Sequence, residues 1–224
     1  DGAKSIGSGG AAELKEQLAA AGAMRLHQIV QLIGFGGITG EDNAFVFERC
    51  VASTKLTVEG AIDMVEGDVL RDWGAATAEL ALWPYDTSFD LRRLSEIPHT
   101  AEWLWPYRRN LQRRKRFGTP MEELGRPWYE WRELYAERLR TPLSIAFASV
   151  TTHNQFVLDR GGKVFKQSAP VIKLPAGASL DDHLALLGLL NSSAACFWMQ
   201  QTFHNKGGPG GGSSKDSTSH EFFD

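Results

Sequence analysis

The stretch between residues 143 and 174 constrains the fold most, because it holds short apolar runs divided by turn-forming residues. Its first run alternates large apolar and small side chains, and a period of two is typical of a β-strand with one buried face. Two further segments flank Arg160-Gly161-Gly162, a sequence that predicts a hairpin. The strands predicted here lie at 143–147, 155–159, 163–167 and 170–174.

Helical signals follow this sheet. Ser179 and Asp182 have the spacing of a capping box, which predicts the start of a helix that continues through the leucines of 184–190. A second helix is predicted from Ser192 to near Asn205. The other predicted elements are an alanine-rich helix at 11–22, strands at 28–38 and 79–85, and helices at 39–49, 100–117 and 131–140. Together they predict an α+β fold, with a mixed sheet and hairpin core and packed helices.

The helix predicted at 100–117 has an apolar stripe and a basic face. Trp103, Tyr107 and Leu111 recur at every fourth position, and Pro106 places the start of the regular helix near position 105. No acidic residue lies between positions 103 and 118. The basic residues of this segment are Arg108, Arg109, Arg113, Arg114, Lys115 and Arg116.

The formal net charge of −3 hides a strong asymmetry along the chain. Residues 1–102 contain 8 Lys and Arg against 16 Asp and Glu, whereas residues 103–140 contain 10 against 5. A basic block inside an acidic chain indicates a local anionic partner, of which a phosphate backbone is the commonest. A solvated helix face balanced by the acidic N-terminal half explains the block equally well, and both interpretations stay open.

The length of 224 residues suits one large domain or two small ones, and is too short for a full two-domain enzyme with a nucleotide fold and a substrate-recognition module. We predict a linker or helical remnant at 1–27, a main domain at 28–206, and a Gly/Ser-rich loop with a C-terminal tail at 207–224. No apolar run approaches the roughly 20 residues of a membrane helix, and the first residues lack the pattern of a signal peptide. Cys50 and Cys196 lie far apart, so a cytoplasmic protein is expected.

None of the common catalytic motifs is present. Gly34-Phe35-Gly36-Gly37 resembles the start of a dinucleotide loop, but Thr39 occupies the place of the third glycine in G-x-G-x-x-G. These glycines instead indicate a close approach of the backbone to other groups. Asp181-Asp182-His183 opens a capped helix, so its acids are expected to complement the helix dipole rather than bind a metal. We therefore predict no catalytic, cofactor or metal site in this chain.

Several motifs occur in the order found in DNA target-recognition domains. Residues 186–192 read LLGLLNS and precede an aromatic helix through Phe197 and Trp198. The accompanying motifs are EGDVLRDW at 66–73, the basic helix at 104–116, Trp128-Tyr129-Glu130, and the segment 151–165. This combination resembles the recognition domains of single-chain restriction–modification methylases and of specificity subunits.

A closer resemblance, from about residue 33 to the end, is to the adenine-specific DNA methyltransferases of the BREX phage-defence system, the PglX family. It is carried by ITGEDNAF at 38–45, VTTHNQFVLDRGGKVF at 150–165 and SAPVIKLP at 168–175. The Gly-rich S-adenosylmethionine loop and the N/D-P-P-Y/F motif of that family are absent from this sequence. The resemblance therefore implies a recognition region of a longer bacterial enzyme, whose catalytic domain would bind S-adenosylmethionine and flip the target adenine.

The resemblance also implies which residues contact double-stranded DNA. The basic residues of 108–116 would dock on phosphates, with one arginine available for guanine, and the loop His153-Asn154-Gln155 would read base edges. Arg160 and Lys163 would touch the backbone. Capping of a turn by Asn154 explains the loop equally well. The tryptophans that could stack on a base, and that more often belong to a core, are Trp103, Trp105, Trp128 and Trp131.

The implied partners are double-stranded DNA and the methyltransferase catalytic domain of the same protein, with other defence proteins in addition and no membrane. A second class of function is a protein-interaction module of a defence complex, or the target of a phage inhibitor that mimics DNA. An enzyme acting alone is a weaker alternative, because the catalytic motifs are missing.

Overall fold

The computed structural model describes residues 10–51, 54–71, 73–76, 79–203 and 220–221. Its helices are α1 (Ala11–Ala21), α2 (Leu26–Ile29), α3 (Asp42–Phe45), α4 (Thr54–Gly60), α5 (Pro98–Leu104), α6 (Arg108–Arg113), α7 (Ala136–Arg140), α8 (Leu180–Leu190) and α9 (Ser193–Thr202). Short 3₁₀ turns lie at Arg49–Val51, Gly67–Val69, Leu94–Glu96 and Trp105–Tyr107. None of the helices in these ranges is long and apolar enough to cross a membrane.

The strands are β1 (Leu32–Gly34), β2 (Gly37–Ile38), β3 (Val46–Glu48), β4 (Ala61–Val65), β5 (Leu70–Arg71), β6 (Gly74–Ala75), β7 (Glu79–Leu82), β8 (Lys115–Arg116), β9 (Thr119–Pro120), β10 (Glu133–Leu134), β11 (Ser144–Phe147), β12 (Val150–Thr151), β13 (Phe156–Asp159), β14 (Lys163–Phe165), β15 (Val171–Lys173) and β16 (His220–Glu221). Helices and mainly antiparallel sheets are combined in one chain, so the predicted α+β class is confirmed.

Two four-stranded sheets form the centre of the molecule. The first is antiparallel, in the order β1-β15-β11-β13, with Ile145 opposite Ile172. The second has the order β14-β4-β7-β3, in which β14 and β4 are parallel and the other pairs are antiparallel. The strand predicted at 79–85 is confirmed for its first four residues and ends before Pro84, which has no N–H to donate to a neighbour.

The alternation along β11 separates two apolar layers. Ala146 packs with Val65 and Phe165 of the second sheet. Ile145 and Phe147, on the opposite face of β11, pack against a cluster that includes leucines of α8. This period of two is the feature that the sequence pattern predicted. The first sheet therefore lies between the second sheet on one face and α8 and α9 on the other.

A third apolar cluster surrounds Trp131, which is fully buried. Its indole N–H donates to the carbonyl oxygen of Leu82 (3.0 Å), and its backbone N–H donates to the hydroxyl of Tyr85 (2.9 Å). A Cβ atom at Gly37 would lie 2.9 Å from the indole ring, so this glycine allows the close approach expected from the sequence. The cluster supports β7 and the region that contains α5 and α6.

The hairpin predicted at 155–167 is wrong. Although Gly161 and Gly162 have the positive φ angles, 97° and 80°, that a tight hairpin turn needs, β13 and β14 do not pair. The turn instead carries the chain from the first sheet to the second, where β14 pairs with β4. A turn of two left-handed residues can join two paired strands or can lead the second strand to another sheet. The sequence does not reveal which strand pairs with β14.

The single helix predicted at 100–117 is divided. α5 is followed by the 3₁₀ turn at Trp105–Tyr107, which contains Pro106, and α6 then ends at Arg113. Arg114 is extended, with φ −54° and ψ 138°, and Lys115 and Arg116 belong to the short hairpin of β8 and β9. The basic residues therefore lie on two elements instead of one helix face.

Three other predicted elements differ from the structure. The helix predicted at 39–49 is only the single turn α3, because β3 pairs with β7. The helix predicted at 131–140 begins at Ala136, because β10 pairs with β2. The strand predicted at 28–38 is divided into β1 and β2, and α2 precedes it. In each case pairing with a distant strand overrides the local preference.

The helix starts at Ser179 and Ser192 are confirmed. Ser179 and Asp182 form the predicted capping box, with the Ser179 N–H donating to Asp182 at 2.7 Å, and Ser192 Oγ accepts from the N–H of Ala195 at 3.1 Å. Helix α1 contacts α9 through the ammonium of Lys15, which donates to the carbonyl oxygen of Gln201 at 3.1 Å. The predicted domain boundaries stay predictions, and the tail predicted at 207–224 lies outside the described residues except for β16.

Lys173 is a buried lysine between the two sheets, and it makes stability depend on pH. Its ammonium donates to the carbonyl oxygens of Thr141 (2.6 Å) and Leu143 (3.2 Å). Burial lowers the pKa of Lys173 from 10.5 to about 8, against the opposite effect of Asp159. Between these two values the unfolded chain binds more protons than the folded chain, so the charge of Lys173 lowers stability in full below about pH 8, and this cost is relieved as pH rises from 8 to 10.5.

We expect the free energy of unfolding of the wild type to rise relative to Lys173→Met by about 2 kcal/mol between pH 8 and 10. Urea titrations of the two proteins across this range measure the difference. A constant difference would mean that the folded state leaves the pKa of Lys173 unchanged.

Candidate nucleic-acid interface

The basic block of the sequence forms a helix–hairpin unit, which we define as α6 with β8 and β9. Arg108, Arg109, Arg113 and Lys115 are exposed on it, and Arg116 is half-buried. Among the described residues, none of the four exposed cations lies within 4.0 Å of a carboxylate. Within the part of the chain that the structure describes, the unit therefore presents positive charge that no ion pair neutralises.

Arg114 is not part of this exposed set, although the sequence places it among the phosphate contacts. Its side chain is buried and donates to the carbonyl oxygens of Leu111 (3.0 Å), Trp128 (2.9 Å), Glu130 (2.7 Å) and Thr39. Burial lowers the pKa of Arg114 to about 10. Because its guanidinium already donates to backbone acceptors, we expect Arg114 to stabilise the fold and not to contact DNA.

The hairpin of the unit has an aromatic tip. Residues 115–116 pair with residues 119–120, and Phe117 and Gly118 form the turn with φ angles of 48° and 89°. Phe117 is 86% exposed, the most exposed large apolar side chain in the described part of the chain. Trp105, at the other end of α6, is also exposed, and the guanidinium of Arg108 lies 4.9 Å from its ring centroid.

The loop His153-Asn154-Gln155 is fixed to the junction between α8 and α9. The amide of Asn154 donates to the carbonyl oxygens of Leu190 (2.6 Å) and Ser192 (3.1 Å). Asn191 binds both the backbone N–H (2.9 Å) and the backbone carbonyl (2.8 Å) of Phe156. Asn191, which the sequence analysis names only as part of the LLGLLNS motif, thus holds the end of the loop through its amide. The asparagine of the LLGLLNS motif was the one signal that could have indicated this.

A small pocket of about 220 Å³ opens beside this loop. Its lining residues are Trp73, His153, Asn154, Gln155, Phe156 and Asn191. Trp73 is exposed, whereas the side-chain oxygen of Gln155 is buried without a hydrogen-bond partner among the described residues. His153 is exposed, so the loop offers polar groups to an incoming ligand. The side chain of Asn154 is meanwhile bound to the carbonyl groups of Leu190 and Ser192.

The remaining predicted contacts lie at the crossover between the sheets. Arg160 is exposed. Lys163 is half-buried, and its ammonium forms an ion pair with Asp159 at 2.8 Å. Part of its charge is therefore compensated locally, which makes it a weaker candidate for a phosphate contact than Arg160.

A wider cleft of about 530 Å³ adjoins both regions. It is lined by Thr39, whose carbonyl oxygen binds Arg114, and by Ser149 and Val150, which precede the 153–155 loop. Lys166 in this cleft contacts Glu66, Asp42 (3.3 Å) and Glu79 (3.4 Å). Burial opposes the charge of Lys166, but the hydrogen bond that its ammonium donates to Glu66 and the charges of the three carboxylates raise its pKa overall. Three carboxylates around one ammonium make the cleft unfavourable for phosphate.

The glycines at 34–37 do not form a cradle for S-adenosylmethionine. A Cβ atom at Gly34 would meet the guanidinium of Arg138 at 2.6 Å, and one at Gly36 would meet Leu139 at 2.9 Å. These glycines make room for side chains of the chain itself. In the part of the chain that the structure describes, no group of three or more His, Cys, Asp or Glu residues could hold a metal ion.

The comparisons with known proteins identify one clear sequence relative. No protein-family model matches the chain. Over 202 residues, 89% of its length, the chain is 43% identical to the adenine-specific methyltransferase PglX of Streptomyces coelicolor, and it spans 17% of that protein. The structure also matches the type IIL restriction–modification enzyme MmeI, which was solved in complex with DNA. The TM-score is 0.51 and the identity 15%, over 75% of this chain and 22% of MmeI.

The likeness to MmeI shows a shared fold, since its sequence identity is low. The identity to PglX is high and extends over most of the chain, which confirms the resemblance inferred from the sequence motifs. The chain is therefore a relative of the adenine-specific methyltransferase PglX, homologous to a segment that makes up 17% of that enzyme.

Proposed function

We propose that this chain is the sequence-specific recognition module of a DNA N6-adenine methyltransferase that acts in phage defence or restriction–modification. The observation that carries the proposal is the cluster of four exposed, uncompensated cations on the helix–hairpin unit of a PglX relative. Such a module would act on double-stranded DNA in the bacterial cytoplasm, joined to a catalytic domain.

The geometry supports a division of roles among the candidate DNA contacts. Arg108, Arg109, Arg113 and Lys115 dock on phosphates, which fixes the register of the protein on the duplex. His153 and Gln155 are candidates for reading base edges, because Asn154 anchors their loop to the helices. We place methyl transfer from S-adenosylmethionine in the catalytic domain, because the glycines at 34–37 accommodate side chains of this chain itself. The chain contributes binding and orientation only.

The first test is a salt titration of binding to a labelled duplex. Four phosphate contacts predict that log K falls with log[salt] with a slope of about −3 to −4, a loss of affinity of about 100-fold between 50 and 200 mM salt. Fluorescence anisotropy measures both quantities. Absence of binding at low salt, by the chain alone and joined to a PglX-type catalytic domain, would reject the proposal.

Sequence specificity needs a second measurement. Selection from a library of random duplexes by the full chain is expected to enrich one motif, whose affinity exceeds that of the unselected library by about 1,000-fold. Enrichment of no motif, with strong salt-dependent binding, would reduce the function to non-specific attachment to DNA.

An acidic protein is the second candidate partner. The same four cations attract carboxylates as well as phosphates, and a defence-complex subunit or a phage DNA mimic supplies such a surface. Competition shows which surface a protein partner uses: a duplex that carries the selected motif is expected to displace an acidic protein bound to the four cations, whereas a partner bound to the acidic N-terminal half is expected to remain bound.

A further inference from the structure

We propose that Phe117 is an apolar wedge that enters the base stack of a bound duplex at the edge of the phosphate-docking surface. This inference rests on the proposed function, because it assumes that the helix–hairpin unit lies against DNA. It adds a contact of a different kind, made by an uncharged aromatic ring with the bases themselves.

The packing of the described residues does not explain the exposure of Phe117. Phe117 is 86% exposed and belongs to none of the apolar clusters of the described residues, and the guanidinium of Arg116 lies 5.6 Å from its ring centroid. Burial of a phenylalanine side chain is favourable, so an isolated protein gains nothing by holding one in water. A ligand that covers the ring would recover this free energy.

The backbone at the tip is also unusual for phenylalanine. A φ of 48° is left-handed, and non-glycine residues with positive φ are a small minority in which asparagine and aspartate are enriched. A two-residue turn of this kind normally contains Asn-Gly or Asp-Gly. Phe117-Gly118 keeps the glycine and replaces the preferred first residue with a large apolar side chain.

The hairpin is firmly held at its base, as a wedge requires. Arg114 is fixed by its four carbonyl acceptors, and the N–H of Met121 donates to the carbonyl oxygen of Arg114 at 2.8 Å. Met121 is itself fully buried. The residues on both sides of the hairpin are thus anchored in the protein, so the tip is positioned before binding and little conformational entropy is lost.

The surroundings of Phe117 favour duplex DNA as the occupant. Arg113 and Lys115 lie within four residues of the ring and are exposed, so phosphates on either side of a groove can be neutralised as the ring enters. Apolar wedges that separate base steps and kink the duplex are an established mode of binding DNA. A flat ring carried by a narrow two-stranded hairpin has the shape for this insertion.

The test compares the wild-type chain with Phe117→Asn on the duplex selected from the random library. Asparagine suits the left-handed turn, so the fold is expected to be retained, with an unchanged urea midpoint. We expect the affinity to fall by about 10-fold or more while the salt slope is unchanged, because stacking is lost and the phosphate contacts remain. Reactivity of thymines toward permanganate, which reports unstacking, is expected near the tip in the wild-type complex and not with Phe117→Asn.

Two controls define the result. Phe117→Trp is expected to preserve the permanganate signal, whereas Leu189→Asn, which removes an exposed apolar side chain on α8, is expected to leave affinity and signal unchanged. Equal affinity and equal reactivity for the wild type and Phe117→Asn would overturn the wedge while leaving DNA binding intact. Failure of the wild type to bind any duplex, or its binding to vesicles of anionic phospholipid instead, would overturn both proposals.

Discussion

Replacing Arg114 with alanine is expected to lower the free energy of unfolding by about 3–5 kcal/mol, because the change leaves several buried backbone acceptors without a donor. The guanidinium binds carbonyl oxygens of Leu111, Thr39, Trp128 and Glu130, which belong to segments widely separated in sequence. It also lies 5.3 Å from the ring centroid of Phe45. The decrease in the free energy of unfolding therefore has two causes, which are the unsatisfied polar groups and the cavity left beside the ring of Phe45.

Urea denaturation measures the effect, and Arg113→Ala is the matched control. Arg113 is the adjacent residue, it is exposed, and its replacement is expected to change stability by at most about 0.5 kcal/mol. Arg114→Lys keeps the charge without the planar fork, so it is expected to recover only part of the stability. If Arg114→Ala were as stable as Arg113→Ala and had lost only DNA binding, the side chain would have to face the ligand, against the structure.

The double reversal Arg109→Glu and Arg113→Glu is expected to weaken duplex binding by about 100-fold or more at low salt. Two phosphate contacts disappear and two carboxylates face the DNA backbone, so the salt slope is expected to fall by about 2. Both side chains are exposed and form no ion pair within the described residues, so the stability of the fold is expected to change little.

The control for this experiment is Arg25→Glu with Arg93→Glu. It changes the net charge by the same amount at two exposed arginines outside the helix–hairpin unit. We expect the control to retain most of the affinity, which separates a local docking surface from a general effect of charge. Equal losses in the two double variants would show that the helix–hairpin unit is not the docking site.

The elements that the sequence predicts correctly depend on local signals. β11 and β15 follow from short alternating or apolar runs, and the start of α8 follows from the reciprocal hydrogen bonds of Ser179 and Asp182. The motifs that resemble target-recognition domains are likewise short linear strings, and the identity of 43% to PglX confirms the relationship that they indicated. Information of this kind lies within a few consecutive residues.

The basic segment shows a property that local sequence patterns do not predict, namely which cations are exposed. Six cations between positions 108 and 116 look equivalent in the sequence, and helical periodicity does not mark Arg114 as internal. Its orientation is decided by carbonyl groups at Thr39, Trp128 and Glu130, which reach it only in the folded chain. The same is true of the crossover at Arg160-Gly161-Gly162, where the partner of β14 is β4, about a hundred residues away.

The sequence by itself determined the α+β class, the helix caps, the position of the basic block and the relationship to PglX. The tertiary structure decided which cations reach solvent, how Asn191 anchors the candidate reading loop, and that Phe117 projects from a hairpin tip. The physical reason is that caps and alternation are satisfied by neighbours in sequence. Burial of a charge and exposure of an aromatic ring depend instead on distant groups, which only the folded chain brings together.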